Sequence, residues 1–217
     1  MATKDQEGRY CSIVVRGAMN AAIHHPVWYR RIGAIPGSDA DLDSSSELLV
    51  TPPLSQFNYG GFKVLCDPER WQIECDLSLL DHACKIATRV FDDTLPETPR
   101  RALGINLMAH LRVGFDVAQR LSELVTSLPF GFETSPGSSA KISFSHNHLE
   151  SKITWRIEPS VRGTDMLFLA LNSHKDFDPQ TGPPPIGEEL ERRTGALEPY
   201  FAERLNEILG SLGAETS

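Results

Sequence analysis

Residues 102–113, ALGINLMAHLRV, alternate in character along their whole length. Leu103, Ile105, Leu107, Ala109, Leu111 and Val113 interleave with Gly104, Asn106, Met108, His110 and Arg112. Successive side chains of a strand point to opposite faces, so a period of two puts the first set on one face and the second on the other. A chain containing this segment must bury one face of a sheet and keep the other compatible with water. The same period returns around Ile142 and Phe144 and at Ile153, Trp155 and Ile157, while residues 9–19 read as a further strand. MLFLALN (166–172) is apolar on both faces, as an interior strand would be.

FKVLCDPERWQIEC (62–75) predicts a hairpin. Asp67 starts a turn, Pro68 presets φ, and DPER reads as a four-residue loop. This register sets Cys66 opposite Trp71, Val64 opposite Ile73, Phe62 opposite Cys75 and, on the other face, Lys63 opposite Glu74. Cys66 and Cys75 then lie roughly 13 Å apart along the strands. That is too far for a disulfide, which needs Cα atoms within about 7 Å. No C-x-x-C occurs, and the four cysteines are expected to be buried thiols that fill the core.

Helical spacing appears at 77–92, with Leu80, Ala83, Cys84, Ala87, Val90 and Phe91 on one face and Asp76 or Ser78 as the cap. It recurs in FDVAQRLSELVTSL (115–128) and in a C-terminal helix carrying Leu197, Phe201, Leu205, Ile208 and Leu212. Pro199 marks a kink there, or the first turn of a separate helix. A short helix or turn begins near Pro26, and a short strand covers Leu48 to Thr51. GSDADLDSSSE (37–47) and DPQTGPPPIG (178–187) read as loops. After a flexible tail over 1–8, the chain divides into 9–94 and 101–212. Each half holds a strand, a crossover with a helix, a run of antiparallel strands and a longer helix. The expectation is α+β: a mainly antiparallel sheet with helices packed on one face, built as two similar β-α-βββ-α halves in one compact unit.

The net charge of −8, with basic residues only in short doublets such as Arg100-Arg101 and Arg192-Arg193, disfavours nucleic-acid binding. No apolar run approaches the length of a membrane span, and MATKDQEGRY lacks the apolar core of a secretory signal. A cytoplasmic protein with reduced cysteines is expected.

SQFNYGGFKVLCDPERWQIE together with PRRALGINLMAHLRV resembles a group of bacterial proteins of similar length, in which such a hairpin precedes a helix and then an ALGIN-like strand. The order of strand, crossover, three strands and helix is similar to the SecB export chaperone, here present twice. That resemblance implies a polypeptide-binding role; it supplies no catalytic residues.

Chemical candidates are few. G-x-S-x-G, H-E-x-x-H and a glycine-rich phosphate loop are all missing, and no cofactor or resident metal is expected. His146 and His148 have a strand spacing that can hold zinc, but no third ligand is identifiable, and Asn147 to Ser151 is the natural turn between strands. His24-His25 belong to a helix entrance. Ser and Lys in GSSAK (137–141) read as a loop, and Asp92-Asp93 and Glu188-Glu189 as solvated helix ends. Asn106, His110 and Arg112 share the polar face of the best strand. Trp28, Tyr29, Phe57 and Tyr59 are aromatics that the periodicity does not assign to a core.

Two functional classes follow. The first is a polypeptide-binding adaptor or chaperone-like module using Asn106, His110, Arg112, Trp28 and Tyr29, with an exposed apolar patch. The second is an enzyme with a dispersed active site around His110 or His146. Self-association is a third expected behaviour, since an edge strand must be covered, charged or paired.

Overall fold

The computed structural model describes residues 8–36, 48–127 and 140–213. Its strands are β1 (Gly8–Gly17), β2 (Leu49–Thr51), β3 (Leu54–Tyr59), β4 (Phe62–Asp67), β5 (Arg70–Asp76), β6 (Arg100–Arg112), β7 (Ile142–His148), β8 (Ser151–Pro159) and β9 (Met166–Asp176). All join one antiparallel sheet in the order β2-β3-β4-β5-β1-β6-β9-β8-β7. The helices are α1 (Pro26–Arg31), α2 (Leu80–Thr88), α3 (Val117–Thr126) and α4 (Ile186–Leu212). The expected tail over 1–8 falls mainly outside the described residues, as do the 37–47 loop, Leu128 and the serines of GSSAK; Gly8 already pairs in β1.

Apart from β2 at one edge, the strand order is symmetric about the β1–β6 pair. β5, β4 and β3 lie outward from β1 as β9, β8 and β7 lie outward from β6. β1 pairs with β6, so Ile13 faces Ile105 and Cys11 faces Leu107. The two halves, the first carrying β2 as an extra edge strand beyond the expected β-α-βββ-α order, share one sheet and one hydrophobic core, which draws on Ile13, Trp71 and Phe91 from the first and Ile105, Trp155 and Phe201 from the second.

Period two decides which face is covered. Cys11, Ile13 and Val15 on β1 and Leu103, Ile105, Leu107 and Ala109 on β6 are buried beneath the helices. Tyr10, Asn106, Met108 and His110 point to the opposite, helix-free face. The hairpin register holds, with Cys66 opposite Trp71 and Lys63 opposite Glu74. Its loop is shorter than expected, because Asp67 pairs with Arg70. Asp67 Oδ1 accepts from Glu69 N and Arg70 N, both at 2.9 Å, and this closes the turn over two residues. A second hairpin, β3–β4, turns on Gly60 and Gly61, whose φ values of 53° and 87° favour glycine at both positions.

Helix α2 continues into a wider turn over Arg89–Thr94, where Leu95 N donates to Val90 O five residues back, at 2.8 Å. There Asp92 caps a different helix. Its Oδ1 and Oδ2 accept from Ile186 N (2.8 Å) and Gly187 N (2.7 Å) at the start of α4, and Arg100 Nη1 lies 3.1 Å away. The sequence reading of Asp92 as a solvated helix end is corrected, because its carboxylate serves a helix that starts 94 residues later in the chain. Asp92→Ala is expected to cost about 2 kcal/mol, the upper end for loss of a helix cap. Asp92→Asn, which keeps one acceptor, is expected to cost less. Urea unfolding of both variants checks this, and equal midpoints for wild type and Asp92→Ala would exclude the capping role.

Helix α4 runs unbroken through Pro199, over roughly 40 Å at 1.5 Å per residue. Pro199 and Gly195, four positions earlier, are both exposed, so the carbonyl deprived of its donor can face water. Ile186, Leu190, Arg193, Leu197, Phe201, Leu205, Leu209 and Leu212 form its buried stripe, with Ile208 at its edge. Among the described residues, no helix is long and apolar enough to cross a membrane.

Candidate functional site

The helix-free face is organised by a polar row. Asn58, Lys63, Glu74, Ser12, Asn106 and Asn172 stand directly opposite one another on β3, β4, β5, β1, β6 and β9. Thr154 and Ser145 carry the row on to β8 and β7. Asn172 Nδ2 donates to Asn106 Oδ1 (2.5 Å), Asn106 Nδ2 donates to Ser12 Oγ (2.8 Å), and the Ser145 and Thr154 hydroxyls meet at 2.8 Å. Such a row keeps the face wetted, because a dry partner sheet would strand its donors.

Beside this row lies a groove of about 870 Å³. Tyr10, Met108, His110 and Phe168 form its apolar side, Glu74 and Asp76 supply carboxylates, and the β3–β4 turn closes one end. Asp76 is held below the usual carboxylate range by hydrogen bonds from the Ser78 backbone N–H and hydroxyl, so it stays charged. His110 packs against Phe168 (ring centroids 4.7 Å apart) and edge-on to Tyr10 (6.3 Å). Its Nδ1 lies 2.8 Å from Ser160 Oγ, which also accepts from Arg162 N at 3.0 Å. Burial and then the Arg162 charge lower the His110 pKa, so the imidazole is neutral at pH 7. Arg162 lies over the Tyr10 ring and donates to its hydroxyl at 3.1 Å.

The five expected binding residues do not converge. Asn106, His110 and Arg112 share the helix-free face, but only His110 of the three lines the groove. Asn106 is spent on the polar row, and Arg112 pairs with Asp165. Tyr29 is fully buried on the other side of the sheet. Its hydroxyl accepts from Trp71 Nε1 (2.5 Å) and meets His24 Nδ1 (2.7 Å), so it has no surface to offer a partner. Trp28 packs edge-on against Tyr29 and His24 on that same side. Phe57 is also wholly buried, while Tyr59 is half-buried and lines the groove. Among the described residues, the exposed large hydrophobic ones, Leu48, Leu49, Phe144 and Val161, are scattered over the β2 edge, β7 and a loop rather than gathered into the expected patch.

His146 and His148 are both engaged by Tyr200 of α4. His146 Nε2 lies 2.9 Å from the Tyr200 hydroxyl, and His148 stacks on its ring at 4.7 Å. Among the described residues, no group of three or more His, Cys, Asp and Glu side chains is arranged to hold a metal ion. A second hollow of about 530 Å³, on the helix side, is bounded by Phe144, Trp155, Tyr200 and Ile208.

All four cysteines are free thiols, and burial pushes Cys66 and Cys84 up to about 12. As expected, Cys66 and Cys75 are remote from each other. Cys75, however, is the cross-strand partner of Cys11, with the two sulfurs 3.3 Å apart. The hairpin alone could not disclose this, because Cys11 lies 64 residues away on a strand whose neighbour only the sheet order determines. No protein-family model and no curated protein matches the chain.

Proposed function

We propose that this chain is a cytoplasmic binding module that takes a polypeptide segment into the helix-free groove. The observation that carries this reading is the groove's composition: aromatic and methionine walls, open to solvent, with the carboxylates of Glu74 and Asp76 set against one cation, Lys63. Methionine adapts to varied apolar side chains. The carboxylates and the net charge of −8 favour a segment whose apolar residues are flanked by basic ones. The doubled β-α-βββ-α order, similar to that of SecB, supports the same reading at the level of fold alone.

Fluorescence anisotropy with a labelled, unstructured peptide in which Leu and Phe are flanked by Lys and Arg tests it. Met108→Arg is expected to weaken binding by about tenfold or more, equivalent to about 1.4 kcal/mol. Phe144→Ser, in the other hollow, is expected to leave binding unchanged. Equal affinity of wild type and Met108→Arg, with matching circular dichroism, would exclude the groove as the binding surface.

The contact between His110 and Ser160 supports a second reading, a hydrolase with a serine–histidine pair. It ranks lower, because Ser160 is buried, its oxygen already serves the Arg162 N–H, and it does not line the groove. Labelling of Ser160 by a fluorophosphonate would reverse that ranking.

A further inference from the structure

Cys11 and Cys75 are opposed residues of β1 and β5, and their Sγ atoms lie 3.3 Å apart. Opposed residues of an antiparallel pair have Cα atoms about 4.5 or 5.5 Å apart, depending on the ladder position. Both values fall inside the range of about 4.4–6.8 Å spanned by disulfides. The sulfurs must approach by roughly 1.3 Å to reach bonding distance, a movement within reach of side-chain rotation without a shift of the strands. Both residues contribute to the groove wall, and Cys75 retains 6% exposure while Cys11 has none. Their side chains sit on the helix-covered face, so the residual exposure of Cys75 makes it the sulfur that a small oxidant reaches first, whereas Cys11 is reached only through its neighbour.

We propose that Cys11 and Cys75 form an oxidisable dithiol that a hydroperoxide converts to an intramolecular disulfide, with Cys75 attacking and Cys11 resolving. The proposal does not depend on what the groove binds. The Cys75 thiolate attacks one peroxide oxygen, the O–O bond breaks, and the departing oxygen takes up a proton to leave as water. Cys75 is now a sulfenic acid, oxidised by two electrons, and the peroxide is reduced by two. Cys11 then attacks the Cys75 sulfur, the S–S bond forms, and hydroxide leaves as water with the proton that Cys11 gives up. The balance is two thiols and one hydrogen peroxide to one disulfide and two waters. A dithiol reductant reverses it by exchange.

The surroundings divide the two roles in the same way. The Cys11 S–H can donate to Cys75, which lowers the Cys75 pKa against the opposing effect of burial. The same contact, together with burial and the nearby Cys84 and Asp76, raises that of Cys11. Cys84, on α2, is the competing partner, since its charge raises the Cys11 pKa and its own is raised by that of Cys75.

Full-length protein is treated with hydrogen peroxide, unfolded in denaturant with N-ethylmaleimide, and digested for mass spectrometry. Two of the four thiols are expected to escape alkylation, with one linked peptide pair joining Cys11 to Cys75 and with full recovery after dithiothreitol. Cys11→Ala is expected to leave Cys75 as a sulfenic acid that dimedone traps, and Cys66→Ala to leave the linkage intact. Should Cys11→Ala fail to fold, the wild-type peptide map decides alone. Four alkylated thiols after peroxide, a Cys75–Cys84 link or an intermolecular link would each overturn the proposal.

Discussion

Arg193→Ala is expected to lower the unfolding free energy by about 3–5 kcal/mol, the range seen when one member of a buried charged network is removed. Arg193 has no solvent exposure. From the middle of α4 it reaches two neighbouring strands of the sheet. Nη1 donates to Leu103 O on β6 (3.1 Å), and Nη2 donates to Ser173 O (2.7 Å) and Ser173 Oγ (2.6 Å) on β9. Burial lowers its pKa to about 10, so it is still charged at pH 7. Glu189, one turn earlier and itself buried, supplies the nearest negative charge, and Lys175 and Arg192 share that carboxylate. Alanine would leave a cavity, two main-chain carbonyls short of a donor, and a buried carboxylate with less compensation. Arg193→Lys keeps the charge, but one ammonium lacks the planar fork that spans β6 and β9, so it is expected to recover only part of the loss. Urea unfolding at pH 7 measures both variants, with unchanged m-values required for the comparison. A loss below 1 kcal/mol for alanine would show that α4 is held by its apolar stripe alone.

Acidification from pH 7 to pH 4 is expected to remove about 3 kcal/mol through a single buried imidazole. His24 is 1% exposed, and burial lowers its pKa from 6.5 to about 4. Tyr29 receives the Trp71 N–H, so its own proton goes to His24 Nδ1, which must be unprotonated to accept it. The unfolded chain takes up a proton on His24 near pH 6.5, whereas the folded chain resists until about pH 4. The contribution is therefore complete above about pH 6.5 and declines as pH falls towards 4. Below that value this group adds no further slope. The span of about 2.5 pH units at roughly 1.36 kcal/mol each sets the magnitude. Asn at position 24 offers an uncharged acceptor close to the Nδ1 position. His24→Asn should then show a flatter stability profile between pH 6.5 and 4, whatever its stability at pH 7. Parallel profiles for the two proteins in urea titrations would refute the assignment.

Arg193 and His24 also show which parts of a sequence speak for themselves. Arg193 lies on the α4 stripe three residues after Leu190 and four before Leu197, so an arginine on the core face was in principle visible. Pro199 and the proline-rich run before Ile186 obscure where that helix begins, and in the sequence Arg192-Arg193 stands out only as a short basic doublet. Arg192 does remain exposed and pairs with Glu189 and Glu150, so the doublet divides between solvent and core. His24 read correctly as belonging to a helix entrance. Its burial depends on Tyr29, Trp71 and Ser55, the last of which donates to His24 O, and these come from three separate elements.

Short of the separate strand β3 that turns into β4 at Gly60 and Gly61, the sequence by itself determined the α+β class, most of the strands, the hairpin register from Lys63 to Glu74 and the two faces of the sheet. Each of these follows from the two- or 3.6-residue period of a contiguous stretch, which covalent geometry imposes wherever the chain is extended or helical. Only the tertiary structure decided that Cys11 meets Cys75, that Asp92 caps α4, that Arg193 bridges β6 and β9, and that His110 packs on Phe168 along one side of a groove. Those contacts join residues between 20 and 94 positions apart. They exist because β1 pairs with β5 on one side and β6 on the other, and because burying one face of a single sheet brings the helices of both halves onto it. Local periodicity carries no information about which strand will be a neighbour.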